Sequence, residues 1–186
     1  AIAVATAAAG NTGVSLVLDA GTSIPQGSSA FSLFVSGSMN DPSRSGELFG
    51  YGSNVPATAG ARVGFKEVPS TLAVDLGGSS LIAGLTALDG GSGPHVFGYT
   101  YAASTLLSAN ILTVDGNPVT SASVPSNSTP ATVGSALSVG NVPGSAVSAE
   151  GLYGFVPEVL LSGRTPSTTP RAKVAAYLTG QGGAPL

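Results

Sequence analysis

The chain has 186 residues and a formal net charge of -3, with 8% charged and 42% hydrophobic side chains, 27 Gly, 13 Pro and no Cys. Six Lys and Arg, spread singly, give no electrostatic footprint for a phosphate backbone, which sets nucleic-acid binding aside. Neither disulfides nor thiolate metal sites hold the fold, and the hydrophobic fraction argues against disorder throughout.

The first apolar run, Ile2–Ala9, is shorter than the roughly 20 residues that span a bilayer and lacks the basic flank of a signal peptide. Residues 1–12 therefore read as an arm or edge strand that docks on a neighbour. A chain whose signal has already been removed stays open. Strand signals then follow in order: Val14–Asp19, Phe31–Gly37, Glu47–Gly50, Ala61–Glu67, Thr71–Leu76, Ser80–Leu85, His95–Tyr101, Ile111–Val114, Val119–Val124, Ala136–Gly140 and Gly154–Leu161. Each is short and bounded by Gly, Pro, Asn or Ser, the pattern of an antiparallel sandwich or barrel. Phe31, Leu33 and Val35 alternate with Ser32, Phe34 and Ser36, and Phe97, Tyr99 and Tyr101 alternate with Val96, Gly98 and Thr100. Where both faces are apolar, the strand is expected to be covered on both sides.

The last element breaks this period. Thr169 reads as an N-cap, Pro170 as the first helical residue, and Val174, Tyr177 and Leu178 as one apolar face. Gly180 supplies the stop, giving a helix of about two to three turns that must pack on the sheets. Residues 13–180 read as one β-sandwich domain and 181–186 as a mobile tail.

Between Ile111–Val114 and Val119 lies Asp115-Gly116-Asn117. Asp-Gly between strand-like runs is a hairpin signal, and an aspartate there can fix the turn through its own downstream amides. Asp115 is thus read as a turn residue rather than a catalytic one.

The order of "HVFGYTY", "NILTVDGNPV", "ALSVGN" and "LYGFVPEVLLSGRTPSTTPRAKVAAYL" resembles the laminin-G-like members of the concanavalin A-like jelly-roll superfamily. The matching residues are His95, Val114-Asp115-Gly116, Val139-Gly140, Gly154 with Glu158-Val159, and Tyr177-Leu178, across residues 95–180. The resemblance implies two antiparallel sheets packed face to face and a function of binding glycans or protein surfaces, often without catalysis. It also implies that some relatives hold calcium at the sandwich rim, although no ligand set carries over residue by residue. Pro157, within the last strand, points to an edge or a bulge.

Chemistry-bearing residues are sparse. Jelly-roll glycoside hydrolases need paired carboxylates about 5 to 9 Å apart, and no strand here carries that spacing. The one histidine, His95, begins a core strand and reads as a hydrogen-bonded structural residue. Without a G-x-S-x-G elbow, a serine triad has no anchor. Calcium stays open, with Asn40, Asp41 and Asp89 as loop oxygen ligands. Aromatic platforms for sugars come down to Tyr51, Tyr99, Tyr101 and Tyr153, with Asn54 beside Tyr51. Of these Tyr51, set among turn formers in "FGYGSN", is expected to be the better exposed one, whereas Tyr99 and Tyr101, on one face of their strand, read first as core or sheet packing. Glu158 on its strand needs a partner such as Arg164 or backbone amides.

These features define a non-enzymatic protein, expected in a virion or outside the cell. It would be a structural or decorating component of a virus or phage particle, displaying a laminin-G-like sandwich that touches host glycans. The alternative is a secreted lectin-like module outside any particle. Partners are other subunits of an assembly, a homo-oligomer included, and surface glycans, with no nucleic acid and no membrane insertion.

Overall fold

In a computed structural model of the chain, the described residues are 16–19, 25–39, 46–52, 62–68, 71–75, 80–84, 95–106, 109–119, 131–132, 136–140, 154–164 and 168–183. They form β1 (Leu16–Asp19), β2 (Phe31–Met39), β3 (Gly46–Gly52), β4 (Arg62–Val68), β5 (Thr71–Asp75), β6 (Ser80–Gly84), β7 (His95–Tyr101), β8 (Ile111–Val114), β9 (Asn117–Pro118), β10 (Ala136–Val139), β11 (Gly154–Ser162) and α1 (Thr168–Gly183). One six-stranded sheet runs β1-β10-β3-β4-β5-β6 and one five-stranded sheet runs β11-β2-β7-β8-β9. Every pairing is antiparallel. The expected all-β, antiparallel sandwich with one C-terminal helix is the fold observed.

Alternation decides which side chains meet between the sheets, because successive residues on a strand point to opposite faces. Phe31, Leu33 and Val35 of β2 join Phe97, Tyr99 and Tyr101 of β7 on one side of the core. Phe49 and Tyr51 of β3, Val74 of β5, and Leu137 and Val139 of β10 face them from the other sheet. Each such side chain contributes about 1.5–3 kcal/mol by leaving water. Phe31 is the hub at one end, with its ring centroid 5.8 Å from Tyr51, 5.9 Å from Tyr99 and 5.1 Å from Tyr101.

The outward face of the five-stranded sheet is covered as well. Phe34 and Val96 pack there against Ala175 and Leu178 of α1, with Leu160 and Val174 at the margin. This is why β2 and β7 are apolar on both faces, as the sequence suggests. The helix is longer than expected, at 16 residues. It starts one residue before Thr169, so that Pro170 sits in its first turn, and it runs through Gly180 to Gly183. A glycine stops a helix by taking positive φ. Gly180 is not among the positive-φ glycines, so the chain simply continues. Residues 181–183 of the expected tail are therefore helical, and residues 184–186 and the arm at 1–12 lie outside the described residues.

Pro157 sits where a proline is tolerated. Strand β11 is the edge of its sheet, and its register with β2 shifts between Phe155 and Glu158. Edge and bulge together spare the ladder the hydrogen bond that Pro157 cannot donate. Strand β9 is only Asn117–Pro118, shorter than the expected Val119–Val124, and residues 120–124 lie outside the described residues. Pro118 again lies on an edge strand.

Candidate functional site

The turn at Asp115 does two things. Asp115 has φ 52 and Gly116 φ 80, the pair of left-handed residues that a two-residue hairpin turn uses. The aspartate does not bond downstream amides, as expected from its sequence, but reaches back to the start of β7. Its Oδ1 accepts from the Val96 N–H at 2.9 Å, and its own N–H donates to the Val96 carbonyl at 2.8 Å. Its Oδ2 lies 2.7 Å from His95 Nδ1. A carboxylate only accepts, so Nδ1 carries the proton. His95 is thus a hydrogen-bonded structural residue, and Asp115 clamps the open end of the β7–β8 hairpin. Helix α1 rests on that turn, since a Cβ at Gly116 would come 3.3 Å from the Ala175 Cβ.

Three of the tyrosines proposed as a sugar platform are brought together, but inside the sandwich. Tyr51, Tyr99 and Tyr101 are each 0% exposed. For Tyr51 this corrects the expectation of exposure. Its flanking glycines are strand residues, with Gly50 opposite Gly64, and Tyr51 itself pairs with Leu137 and Val63 in the middle of a six-stranded sheet. Tyr99 and Tyr101 follow the core reading. The Tyr101 hydroxyl donates to the Thr105 carbonyl at 2.8 Å, and the Asn110 side chain bonds the Tyr99 hydroxyl. Asn110 also pins the β7–β8 connection, donating to Leu106 O at 2.6 Å and accepting from the Ala102 N–H at 2.7 Å. Tyr153, Asn54, Asn40, Asp41 and Asp89 lie outside the described residues. Among the described residues no group of three or more His, Cys, Asp or Glu is placed to hold a metal ion.

Burial pushes the Tyr51 hydroxyl well above the ordinary phenol value of 10.0, and the neighbouring Tyr99 and Tyr101 add to it. Burial likewise raises Tyr99, opposed by its hydrogen bond to Asn110, and raises Tyr101, opposed by its bonds to Thr105. A phenol raised in the folded state holds its proton while the unfolded chain releases its own. Stability from this trio is therefore complete below about pH 10 and declines as pH rises above it. In an absorbance titration at about 295 nm, these three tyrosines should ionise together with loss of the near-ultraviolet circular dichroism signal. Ionisation with the fold intact would contradict their burial.

Among the described residues a concave feature lies elsewhere, on the outward face of the five-stranded sheet beside α1. It is a half-open cleft of about 470 Å³ lined by Ser32, Phe34, Leu160, Leu161, Ser162, Arg164 and Val174, within the usual ~300–1,000 Å³ of small-molecule sites. Ser32 and Ser162 are cross-strand partners, as are Phe34 and Leu160, so two rungs of the β2–β11 ladder make the floor. One rung is hydroxylic, the other apolar, and Val174 of the helix closes one side. The Ser32 hydroxyl donates to the backbone carbonyl of Arg164, tying the residue after β11 to the sheet. Arg164 does not partner Glu158. That carboxylate is 8% exposed beneath the helix, with the Tyr177 hydroxyl 3.5 Å from Oε1. None of the cleft residues was singled out as a ligand site from the sequence. Only the placing of Leu160 and Ser162 on one face of β11, read against Phe34 and Ser32 on β2, carries a signal.

No family model matches the chain, and no curated protein matches it. Solved structures do. The chain is similar to Trypanosoma rangeli sialidase in complex with 2,3-difluorosialic acid, at TM-score 0.58 and 18% identity, over 84% of this chain and 24% of that one. It is similar to domains LG4-5 of the mouse laminin alpha1 chain, at TM-score 0.55 and 16% identity, over 86% of this chain and 41% of that one. The fold is the concanavalin A-like, laminin-G-like jelly roll. A third likeness is to the CBM40 of a Ruminococcus gnavus IT-sialidase bound to alpha2,3 sialyllactose. The TM-score there is 0.58 at 10% identity, over 80% of this chain and 84% of that one. The jelly roll thus spans about a quarter of the sialidase's length and most of the CBM40.

Proposed function

We propose that the chain is a non-catalytic carbohydrate-binding module, built as a single jelly roll over residues 13–180, and that the cleft beside α1 is its binding site. The observation that carries this reading is the composition of the cleft. It offers an apolar floor for the C–H face of a sugar ring, and the exposed Ser162 hydroxyl and the Arg164 guanidinium for its oxygens, the mixture of apolar walls and few polar groups that orients small polar ligands. The likeness to a CBM40 bound to alpha2,3 sialyllactose supports the same class. Catalysis is set aside because the described residues of the cleft lining include no carboxylate, whereas glycoside hydrolysis by the usual route needs two flanking the bond.

The module works outside the cell, on a virus or phage particle or as a secreted chain. The low charge, 8% of residues, and the exposed apolar side chains Tyr177, Leu106 and Ile111 support contact with neighbours in an assembly. Glycan-array retention tests the binding. Ser162 is exposed on an edge strand, so Ser162→Trp is expected to fill the cleft, abolish retention and leave the unfolding free energy within about 0.5 kcal/mol of the parent. The same assay on particle and supernatant fractions of the native source separates the two settings. Retention undiminished by Ser162→Trp would move the site elsewhere on the molecule.

A further inference from the structure

We propose that the cleft selects anionic sugars and that Arg164 is the residue that reads the anionic group. This rests on the carbohydrate-binding reading above and adds the substrate class. Four observations lead to it. Arg164 lines the cleft, and its backbone is tethered to β2 through the Ser32 hydroxyl, so the residue is carried on the sheet rather than on a free loop. Among the described residues no acidic one lines the cleft with it, and no carboxylate pairs with it. The nearest acid on the same face of β11, Glu158, sits beyond Leu160 under the helix, within reach of the Tyr177 hydroxyl.

The floor beside the guanidinium is Phe34, Leu160 and Val174, a setting in which an ion pair is stronger than in open water. Finally, cations are scarce and placed unevenly. The chain has six Lys and Arg and a net charge of -3, yet Arg164, Arg171 and Lys173 fall within ten residues of chain, on the loop and helix that bound this cleft. Arg164 is the one of these three that lines the cleft, and with two further cations close by in sequence it gives an acidic protein a local positive potential that draws anions. A planar guanidinium offers paired N–H donors that match a carboxylate or a sulfate, while Ser162 and the apolar floor take the ring.

The test uses the full chain and defined probes. Sialyllactose, tri-galacturonate and a hyaluronan tetrasaccharide are each titrated beside their carboxyl-reduced forms, with a sulfated chondroitin tetrasaccharide as a further arm. Binding is followed by amide chemical shifts. At least one acidic probe is expected to move Leu160, Ser162 and Arg164 and to bind about tenfold or more tightly than its reduced form. Arg164→Gln should weaken that acidic probe about 10- to 100-fold and leave the reduced one unchanged. A preference for the sulfated arm, also lost in Arg164→Gln, assigns the anion as sulfate and supports the same reading. If reduced probes bind as well as acidic ones, the carbohydrate reading stands and the anionic selectivity is overturned. If no probe moves the cleft amides, both fall. If acidic probes bind but shift only Arg171 and Lys173, with Arg164→Gln indifferent, Arg164 has no such role.

Discussion

Gly98→Ala is expected to lower the unfolding free energy by about 2–3 kcal/mol, moving the urea midpoint down by roughly 1 M. Gly98 lies in the centre of β7, opposite Phe34 of β2 and Thr113 of β8. A Cβ there would stand 2.5 Å from Thr113 Oγ1 and 2.8 Å from two carbons of the Phe34 ring. Those contacts lie on the outward face, where the helix presses Phe34 against the sheet, so the ring cannot lift without opening the α1 interface. The missing side chain is therefore a packing feature: Phe34 lies across bare backbone. Two comparisons make the mechanism checkable. In a Phe34→Leu background the alanine should cost less, because one of its two clashes is relieved. Gly180→Ala, in an exposed helical position with nothing within 4 Å, should be neutral or stabilising by up to about 1 kcal/mol. Equal effects at Gly98 and Gly180 would mean that backbone entropy, and not the Phe34 contact, sets the cost. Loss of the contact also matters for the cleft, since Phe34 is its floor.

Much of the sandwich was legible because its cause is local. Alternation on β2 and β7 names the inward residues without knowing their partners, and Gly, Pro, Asn and Ser bound the strands. Pro157 even announces an edge or bulge, because a missing N–H has few tolerable places in a sheet. What was not legible depends on register between distant segments. Tyr51 looks exposed while its glycine neighbours are read as turns, and becomes core only when Leu137 and Val63 are set beside it. The helix end was misread for a similar reason: glycine permits positive φ but does not compel it. The cleft is the extreme case. Its floor joins β2 to β11, and the Ser32–Arg164 bond spans 132 positions of sequence. No window of sequence holds both partners, and neither the buried Ser32 nor the exposed Arg164 announces the other. Glu158 shows the same limit, since the partner it takes, Tyr177, was read as part of the helix's apolar face and not as a hydroxyl donor.

Asp115 separates these two kinds of information in a single residue, and its variants should rank accordingly. Asp115→Ala is expected to cost about 2–3 kcal/mol in denaturant unfolding. It removes the acceptor for the Val96 N–H and for His95 Nδ1, both bonds to a charged group. It also places alanine at φ 52, where a Cβ without a compensating local bond adds about 1 kcal/mol. Asp115→Asn should cost least, about 1 kcal/mol. Asparagine tolerates the left-handed conformation, and its carbonyl can still accept from Val96. Asp115→Gly is the deciding variant. Glycine suits the turn better than aspartate does, so a residue that only turned the chain would be replaced at no loss or with a small gain. A clamp on β7 predicts instead a loss of about 1–2 kcal/mol, lying between asparagine and alanine, together with faster exchange of the Val96 amide. His95→Ala should then cost less in the Asp115→Gly background than in the parent, because its Nδ1 partner is already gone while its contact with the Phe97 ring remains. If Asp115→Gly proves neutral and the two substitutions add, the short bonds to Val96 and His95 contribute nothing net. Helix α1, which leans on this turn through Ala175, would then hold the hairpin closed by packing alone.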